Sequence, residues 1–355
     1  MENNKIRFLG MHKKSHEQWL DTLSQSNYLD EDVDNYNQGP LIEKLQNKVA
    51  RLLGKEDALF FHKGTIAQLT ALKVAAEKSN CHTTILHPKS HIVFDEQDAY
   101  KHVTGLNGIL VGSPDKPFVH EDLININEKV GSLVVELPLR RSGFILTDWD
   151  DLIHIKKWCQ DHNCHFHMDG ARLWESTYFY KRPLSEISEL FDSVYVSLYK
   201  GIGAIGGSLL AGDKDFIEKC KVWRSRLGGD AWTQFPSVIT ALDGLTNTLP
   251  EIDSWVKRAH EVANEISKID GIKVNRPQTN GFLIYLEGDL DELNSIADSL
   301  TDTLGISLFN SFFKTKNPNM QAAEVQIGKD SNLISNSEIN TYFSKLVNGK
   351  NSLLK

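Results

Sequence analysis

Lys200 and Asp169 each follow a short run of residues that is typical of a buried strand. Lys200 comes directly after Val-Tyr-Val-Ser-Leu-Tyr, residues 194–199, and glycines follow it. Asp169 comes after His-Phe-His-Met, and Arg172 lies three positions further on. A lysine amine forms a Schiff base with the aldehyde of pyridoxal phosphate (PLP), and a carboxylate pairs with the cofactor's pyridinium nitrogen. Together the two residues predict a PLP enzyme.

Two further segments end predicted strands in glycine or polar residues. Gly64 and Thr65 open a predicted helix, and the N-terminus of a helix suits a phosphate group. Thr65 alone would be read as an N-cap, but the other segments favour the phosphate. Glu136 ends an apolar strand. Because ligands bind at the carboxyl ends of strands in an open α/β sheet, we expect these residues, Asp169 and Lys200 to hold one cofactor.

His91 is a third kind of candidate. A lone histidine is usually structural, but an imidazole can also stack on a planar cofactor and relay a proton near neutral pH. We expect His91 to belong to the cofactor site.

Two motifs suggest other ligands, and the sequence disfavours both. Cys-His-Phe-His at residues 164–167 lies in a short strand, where neighbours point to opposite faces, and has no second ligand pair at zinc-site spacing. Residues 201–206 match G-x-G-x-x-G, but an apolar run follows them instead of a helix. We therefore expect no metal site and no dinucleotide site.

The predicted elements that would position these residues form two domains. Up to Thr246, short apolar strands alternate with helices, which predicts an α/β domain with a mostly parallel sheet. Beyond Pro250 the pattern indicates a smaller α+β domain. The expected division is an N-terminal arm and large cofactor-binding domain at 1–248, and a small domain at 249–355.

Bulk composition excludes several classes of protein. The chain has 355 residues and a formal net charge of −8, which argues against a nucleic-acid partner. No run of about 18 apolar residues is present, so we expect no membrane span. The N-terminus lacks the apolar stretch of a signal peptide, and the four cysteines are too scattered for a disulfide framework. We expect reduced thiols and a cytoplasmic protein.

Taken together, the motifs resemble the threonine aldolases. These belong to the β-eliminating lyase group of PLP enzymes, which has the aspartate-aminotransferase-like fold (PLP fold type I). The chain is similar to L-allo-threonine and low-specificity members, and the likeness is found at residues 63–67, 90–96, 167–172, 197–203 and 223–229.

The resemblance implies roles for four residues. It makes Lys200 the lysine that carries the cofactor, Asp169 the partner of the pyridinium, and His91 the ring that stacks on it. Arg172 would lie beside the cofactor or the substrate carboxylate. The resemblance also implies a homodimer or homotetramer with sites between subunits.

The segments that contact the substrate in typical members of the family have a different sequence here. The Arg-Ser-Asp-Thr segment of typical members reads Arg-Phe-Leu-Gly at residues 7–10, and the Thr-His-Asn segment reads Leu-Pro-Leu-Arg-Arg-Ser-Gly at residues 137–143. Gln326 stands in place of the C-terminal arginine that binds the substrate carboxylate. We expect Arg140 or Arg172 to bind that carboxylate instead.

These features predict a PLP-dependent carbon–carbon lyase whose catalytic residues are Lys200, His91, Asp169 and Arg172. It would cleave a β-hydroxy-α-amino acid of the threonine or allo-threonine type to glycine and an aldehyde. β-Elimination, racemisation or transamination stays open, because the sequence does not show which Cα bond lies perpendicular to the cofactor ring. Intact Lys200 and Asp169 disfavour a non-enzymatic PLP-fold sensor. The missing helix after the glycines disfavours a nucleotide-binding dehydrogenase.

The first 35 residues show no clear period and predict an irregular arm. It contains the apolar residues Phe8, Leu9, Trp19 and Leu20. Since such groups need burial, we expect at least a dimer with the arm near the partner.

Overall fold

The computed structural model describes residues 6–11 and 14–353, and the elements below are those of this part of the chain. The strands are β1 (Arg7–Phe8), β2 (Asp57–Phe61), β3 (Thr83–Leu86), β4 (Asn107–Leu110), β5 (Ser132–Glu136), β6 (His165–Gly170), β7 (Ser193–Ser197), β8 (Ser208–Gly212), β9 (Ile272–Val274), β10 (Gly281–Glu287), β11 (Ile306–Ser307), β12 (Phe312–Lys314) and β13 (Met320–Gln326). The helices are α1 (His16–Ser24), α2 (Pro40–Leu53), α3 (Gly64–Ser79), α4 (His91–Phe94), α5 (Ala99–His102), α6 (Trp149–Asp161), α7 (Thr177–Tyr180), α8 (Leu184–Glu189), α9 (Lys214–Arg226), α10 (Phe235–Asn247), α11 (Ile252–Ile266), α12 (Leu290–Leu304) and α13 (Asn336–Leu353).

The larger compact unit, residues 14–250, is built on a seven-stranded sheet with the order β2-β8-β7-β6-β5-β3-β4. The pairs from β4 to β7 are parallel, and β8 runs antiparallel to both β7 and β2. Every residue of β5 and β7 is buried, as expected where helices cover both faces of a sheet. This is the predicted α/β domain with a mostly parallel sheet.

Helix α3 covers one face of the sheet next to the strands that end in the candidate residues. Its Ala67, Ala71 and Val74 pack with Tyr195 of β7 and Leu210 of β8 in one buried cluster. The small alanines let the helix lie close to the sheet, and its N-terminus lies at the ends of the central strands.

The smaller unit contains the described residues from 251 onward together with residues 6–11. Its antiparallel sheet has the order β12-β13-β10-β9, and β1 pairs in parallel with β11. This is the predicted α+β domain, apart from the N-terminal residues that it includes.

The N-terminal arm differs from the sequence prediction in two respects. Residues 6–11 belong with the C-terminal part of the chain, whereas the sequence assigned the whole arm to the large domain; Leu9 is fully buried there. The arm is also not irregular throughout, because α1 forms behind a capping box in which Ser15 and Gln18 satisfy each other's backbone N–H groups.

The segment after Lys200 continues as the sequence predicted. Residues 201–206 lead into strand β8 rather than into a helix. Among the described residues, no group of histidine, cysteine or acidic side chains is arranged to hold a metal ion. None of the helices within residues 6–11 and 14–353 has the length and apolar character needed to cross a bilayer.

Candidate active site

Glu136 and Asp169 lie side by side at the carboxyl ends of adjacent parallel strands. They are register partners in the β5–β6 pair, and Asp169 is in turn the register partner of Tyr195 in β7. Their exposed fractions are 8% and 1%. Burial and then the neighbouring Asp169 raise the pKa of Glu136 to about 7. The sheet topology therefore joins two of the predicted residues directly.

Lys200 lies in the turn after β7, close to both carboxylates. Burial and then the Arg172 guanidinium lower the pKa of Lys200, while Asp169 and Glu136 act in the opposite direction. In Asp169, burial raises the pKa of the carboxyl group, and Lys200 and His91 lower it. An amine whose pKa is lowered is a better nucleophile at neutral pH, so this environment suits a lysine that attacks a carbonyl group.

His91 begins the short helix α4, and its ring is oriented by Glu96. Nδ1 of His91 lies 3.0 Å from Oε1 of Glu96. This hydrogen bond raises the pKa of His91, and burial opposes it. The same Glu96 oxygen accepts a hydrogen bond of 3.2 Å from the Thr65 hydroxyl. Glu96 thus links the predicted histidine to the start of α3.

Glu136 holds the segment of His91 in place through the backbone. One carboxylate oxygen accepts the N–H of His91 at 2.7 Å, and the other accepts the N–H of Arg140 at 3.2 Å. Arg141 forms a second connection, because its guanidinium makes a forked ion pair with Asp95 and lies over the ring of Phe94. Both ends of α4 are therefore attached to the loop after β5.

Helix α3 begins with a close approach between Gly64 and the sheet. A Cβ atom added at Gly64 would lie 2.1 Å from the Tyr195 hydroxyl, so only glycine fits there. The N-cap residue, Lys63, makes no side-chain capping hydrogen bond. The first turn of this 16-residue helix thus has backbone N–H groups that no capping side chain satisfies, as a phosphate site requires.

Arg172 forms an ion pair with the fully buried Glu175. Nη1 of Arg172 lies 3.4 Å from Oε1 of Glu175, and the guanidinium lies 5.4 Å from the ring centre of Phe144. Nε of Arg172 and Oε2 of Glu175 are buried and make no hydrogen bond within the described part of the chain. Burial raises the pKa of the Glu175 carboxyl group, and the charges of Arg172 and Lys200 oppose this effect.

The structure brings together the residues that the sequence proposed in the larger unit: Gly64, Thr65, His91, Glu136, Asp169, Arg172 and Lys200, with Arg140 tied to Glu136 by its backbone. Sequence reasoning did not assign Tyr195, Asp95, Arg141 and Glu175. Only Glu175 carried a sequence signal, because it stands three residues after Arg172, at the spacing of a helical ion pair. Gln326 lies in the smaller unit, where its side-chain amide donates to Glu324 at 3.3 Å.

These groups fit PLP by their chemistry. The larger unit offers a lysine amine, a buried carboxylate, an imidazole and a helix N-terminus with no side-chain cap. Glu96 also keeps one buried oxygen without a hydrogen-bond partner among the described residues, which is unusual in a protein interior and indicates a further polar group at this place.

Comparisons with known proteins agree with this chemistry. The model of the β-eliminating lyase family matches residues 23–289. The low-specificity L-threonine aldolase 1 of Arabidopsis thaliana is 27% identical over 269 residues, which cover 73% of this chain and 74% of the relative.

Two solved structures resemble the whole chain. A Listeria monocytogenes protein provisionally named an L-allo-threonine aldolase superposes with a TM-score of 0.92 at 32% identity, covering 98% of this chain and 97% of its own. An Exiguobacterium protein provisionally named an aromatic amino acid β-eliminating lyase/threonine aldolase has a TM-score of 0.91 at 26% identity and covers 98% of each chain. The fold is that of PLP fold type I, as the sequence predicted. The chain belongs to the β-eliminating lyase family, and it is a lyase whose cofactor is pyridoxal phosphate.

Proposed function

We propose that this protein cleaves a β-hydroxy-α-amino acid of the threonine or allo-threonine type to glycine and an aldehyde. The observation that carries the proposal is the grouping of Lys200 and His91 around the buried Asp169 carboxylate, in which the pKa of the lysine is lowered and that of the histidine is raised. The names of the relatives support the substrate class.

Five residues would hold the cofactor. The N-terminus of α3 at Gly64 and Thr65 would bind the phosphate, Asp169 would pair with the ring nitrogen, and Lys200 would carry the cofactor on its amine. His91 would lie against the ring, and the Glu136 carboxylate would fix the backbone of that histidine. Bound there, PLP supplies an electron sink for the pair released when the Cα–Cβ bond breaks.

His91 would act as the base through Nε2. Because Nδ1 donates to the Glu96 carboxylate in the neutral ring, Nε2 keeps its lone pair and can accept the proton of the substrate's β-hydroxyl group. Loss of that proton turns the hydroxyl into the carbonyl of the departing aldehyde. Cα then takes up a proton, which gives glycine.

Arg140 and Arg172 are the candidates for the substrate carboxylate. The Arg140 backbone is tied to the same Glu136 carboxylate that holds His91. Arg172 is close enough to Lys200 to lower the pKa of the amine. An arginine fork binds a carboxylate through two hydrogen bonds, so either residue could replace the arginine that typical members carry in the C-terminal domain.

The products of the reaction test this proposal. The purified holoenzyme should release glycine and an aldehyde in equal amounts from at least one member of a panel of β-hydroxy-α-amino acids. Release of ammonia and a keto acid would instead support β-elimination. A changed enantiomer ratio would support racemisation, and transfer of the amino group to a keto acid would support transamination.

We further propose that the protein is a cytoplasmic homodimer or homotetramer. Apolar exposure on the larger unit supports assembly: Trp232 and Tyr36 pack edge to face at 5.2 Å, yet they are 66% and 52% exposed. Leu20 of the arm is 67% exposed. The cysteines Cys81, Cys159, Cys164 and Cys220 are free thiols, which suits a reducing compartment.

A further inference from the structure

A chain of buried polar side chains connects the elements that carry the proposed cofactor contacts. Nε2 of His167 lies 2.6 Å from Oε1 of Gln68, and Nδ1 of His167 lies 2.7 Å from Oγ of Ser193. The same Ser193 oxygen lies 2.7 Å from Nε2 of His165. Gln68, His167 and Ser193 are at most 1% exposed. The two histidines come from the Cys-His-Phe-His motif, whose function the sequence did not reveal.

The hydrogen bonds among these polar side chains all run in one direction, from His165 towards Gln68. Because the Gln68 oxygen can only accept, Nε2 of His167 carries the hydrogen, and Nδ1 accepts from the Ser193 hydroxyl. The Ser193 oxygen then accepts from Nε2 of His165. Both rings are neutral, since burial lowers the pKa of His167 to about 3 and that of His165 to about 4. Each of these three hydrogen bonds thus has one donor and one acceptor, and both ring nitrogens of His167 are committed. The Gln68 amide nitrogen is buried and makes no hydrogen bond within the described residues.

The three fully buried members lie on the three elements of the cofactor site. Gln68 is one turn into α3, which begins at Gly64. His167 stands two residues before Asp169 in β6, so both side chains point to the same face of the sheet. Ser193 begins β7, whose chain continues to Lys200.

We propose that His167 is a positioning residue for PLP. Through its two hydrogen bonds, His167 fixes the spacing between the N-terminus of α3 and the Asp169 carboxylate. This inference rests on the assignment of those two groups to the cofactor under the proposed function. An apolar side chain at residue 167 would fill the core without the cost of burying polar groups. Hydrogen bonds, unlike apolar contacts, fix the direction and distance between the elements that they join.

Titration of the apoprotein with PLP, followed by visible absorbance, tests this role. His167→Phe should raise the Kd for PLP by about 10- to 100-fold, the range that outer-shell partners show at metal sites. It should also change the pH dependence of the bound cofactor's visible band. His165→Phe is the matched control, because it leaves the Gln68–His167–Ser193 links in place and should keep Kd within about twofold of wild type.

A triple variant separates positioning from folding. His167→Phe with Gln68→Met and Ser193→Ala replaces all three partners by apolar groups, so the thermal stability of the apoprotein should return towards wild type. Its Kd for PLP should stay raised, and the triple variant gives the same comparison if His167→Phe does not fold alone. An unchanged Kd in these variants, recovery of Kd together with stability, or an equal loss in His165→Phe would overturn the inference. The titration needs no substrate, so a wild-type protein that binds PLP without cleaving β-hydroxy amino acids would contradict only the proposed reaction.

Discussion

Removal of the Asp169 charge is the most direct test of the cofactor site. Asp169→Asn keeps the shape of the side chain, and its amide oxygen can still accept the N–H of Ala171, which Oδ1 accepts at 3.1 Å. Burial raises the pKa of Asp169 in the folded state, so its ionised carboxylate disfavours folding at neutral pH. The folded apoprotein should therefore be at least as stable with asparagine as with aspartate.

The expected loss of activity follows from the burial of the carboxylate. Opposite unit charges 4 Å apart attract by about 1 kcal/mol in bulk water and by about 4 kcal/mol at an effective dielectric constant near 20. Asp169 is 1% exposed, so the second figure applies as the upper limit for its pairing with a protonated ring nitrogen. About 4 kcal/mol corresponds to roughly a thousandfold in rate. We expect a decrease in kcat of about 100- to 1000-fold, comparable to the loss of one preorganised donor from an oxyanion hole.

The assay combines turnover with the absorbance spectrum of the PLP-loaded protein. Asp161→Asn is the matched control, because Asp161 is a half-exposed acid at the end of α6 that pairs with Lys157 and should matter little. The reasoning is refuted if Asp169→Asn keeps more than about a tenth of wild-type turnover with an unchanged spectrum, or if Asp161→Asn loses as much activity.

Four substitutions and one measurement of mass test the remaining assignments. Lys200→Ala should abolish turnover and the visible band that borohydride discharges, because the amine proposed to carry the cofactor is gone; a retained band contradicts that role. Glu96→Gln replaces the charged hydrogen-bond acceptor of His91 by a neutral amide, which lowers the pKa of His91, so the acid limb of the kcat/KM profile should move to lower pH; an unmoved limb excludes His91 as the base. Arg140→Ala or Arg172→Ala should raise KM for the amino acid while the cofactor spectrum stays intact, and normal KM values in both place the carboxylate elsewhere. Light scattering at micromolar concentration should give at least twice the chain mass, and a monomeric mass would contradict the assembly.

The closeness of the candidate cofactor residues could be predicted because it depends on strand ends. Glu136, Asp169 and Lys200 each follow a run of buried residues, and parallel strands direct their carboxyl ends to one edge of the sheet. The bounds of helix α2 also follow from the sequence, because its buried apolar residues recur at helical spacing and Gly54 ends it in a left-handed conformation. Local pattern and topology were sufficient to predict that these residues lie close together.

Other features depend on contacts between residues far apart in the chain. The sequence did not show that Glu136 bridges the backbone of His91 and Arg140, or that Arg141 pairs with Asp95. Single-residue patterns do not reveal which side chains meet across a loop. Helix α1 is a different case, because the capping box of Ser15 and Gln18 was present in the sequence.

The charge distribution of the site favours function over stability. Glu136, Asp169 and Glu175 are buried acids whose pKa values are all raised by burial, so each is costly to ionise in the folded apoprotein. Lys200 is affected in the opposite direction, because burial makes its ammonium form costly. A protonated pyridine ring supplies a positive charge between such acids, and an uncharged lysine amine is the form that attacks the cofactor's aldehyde. The same burial that weakens the apoprotein would therefore prepare the site for PLP, which accounts for the buried ionisable groups at the carboxyl edge of the sheet.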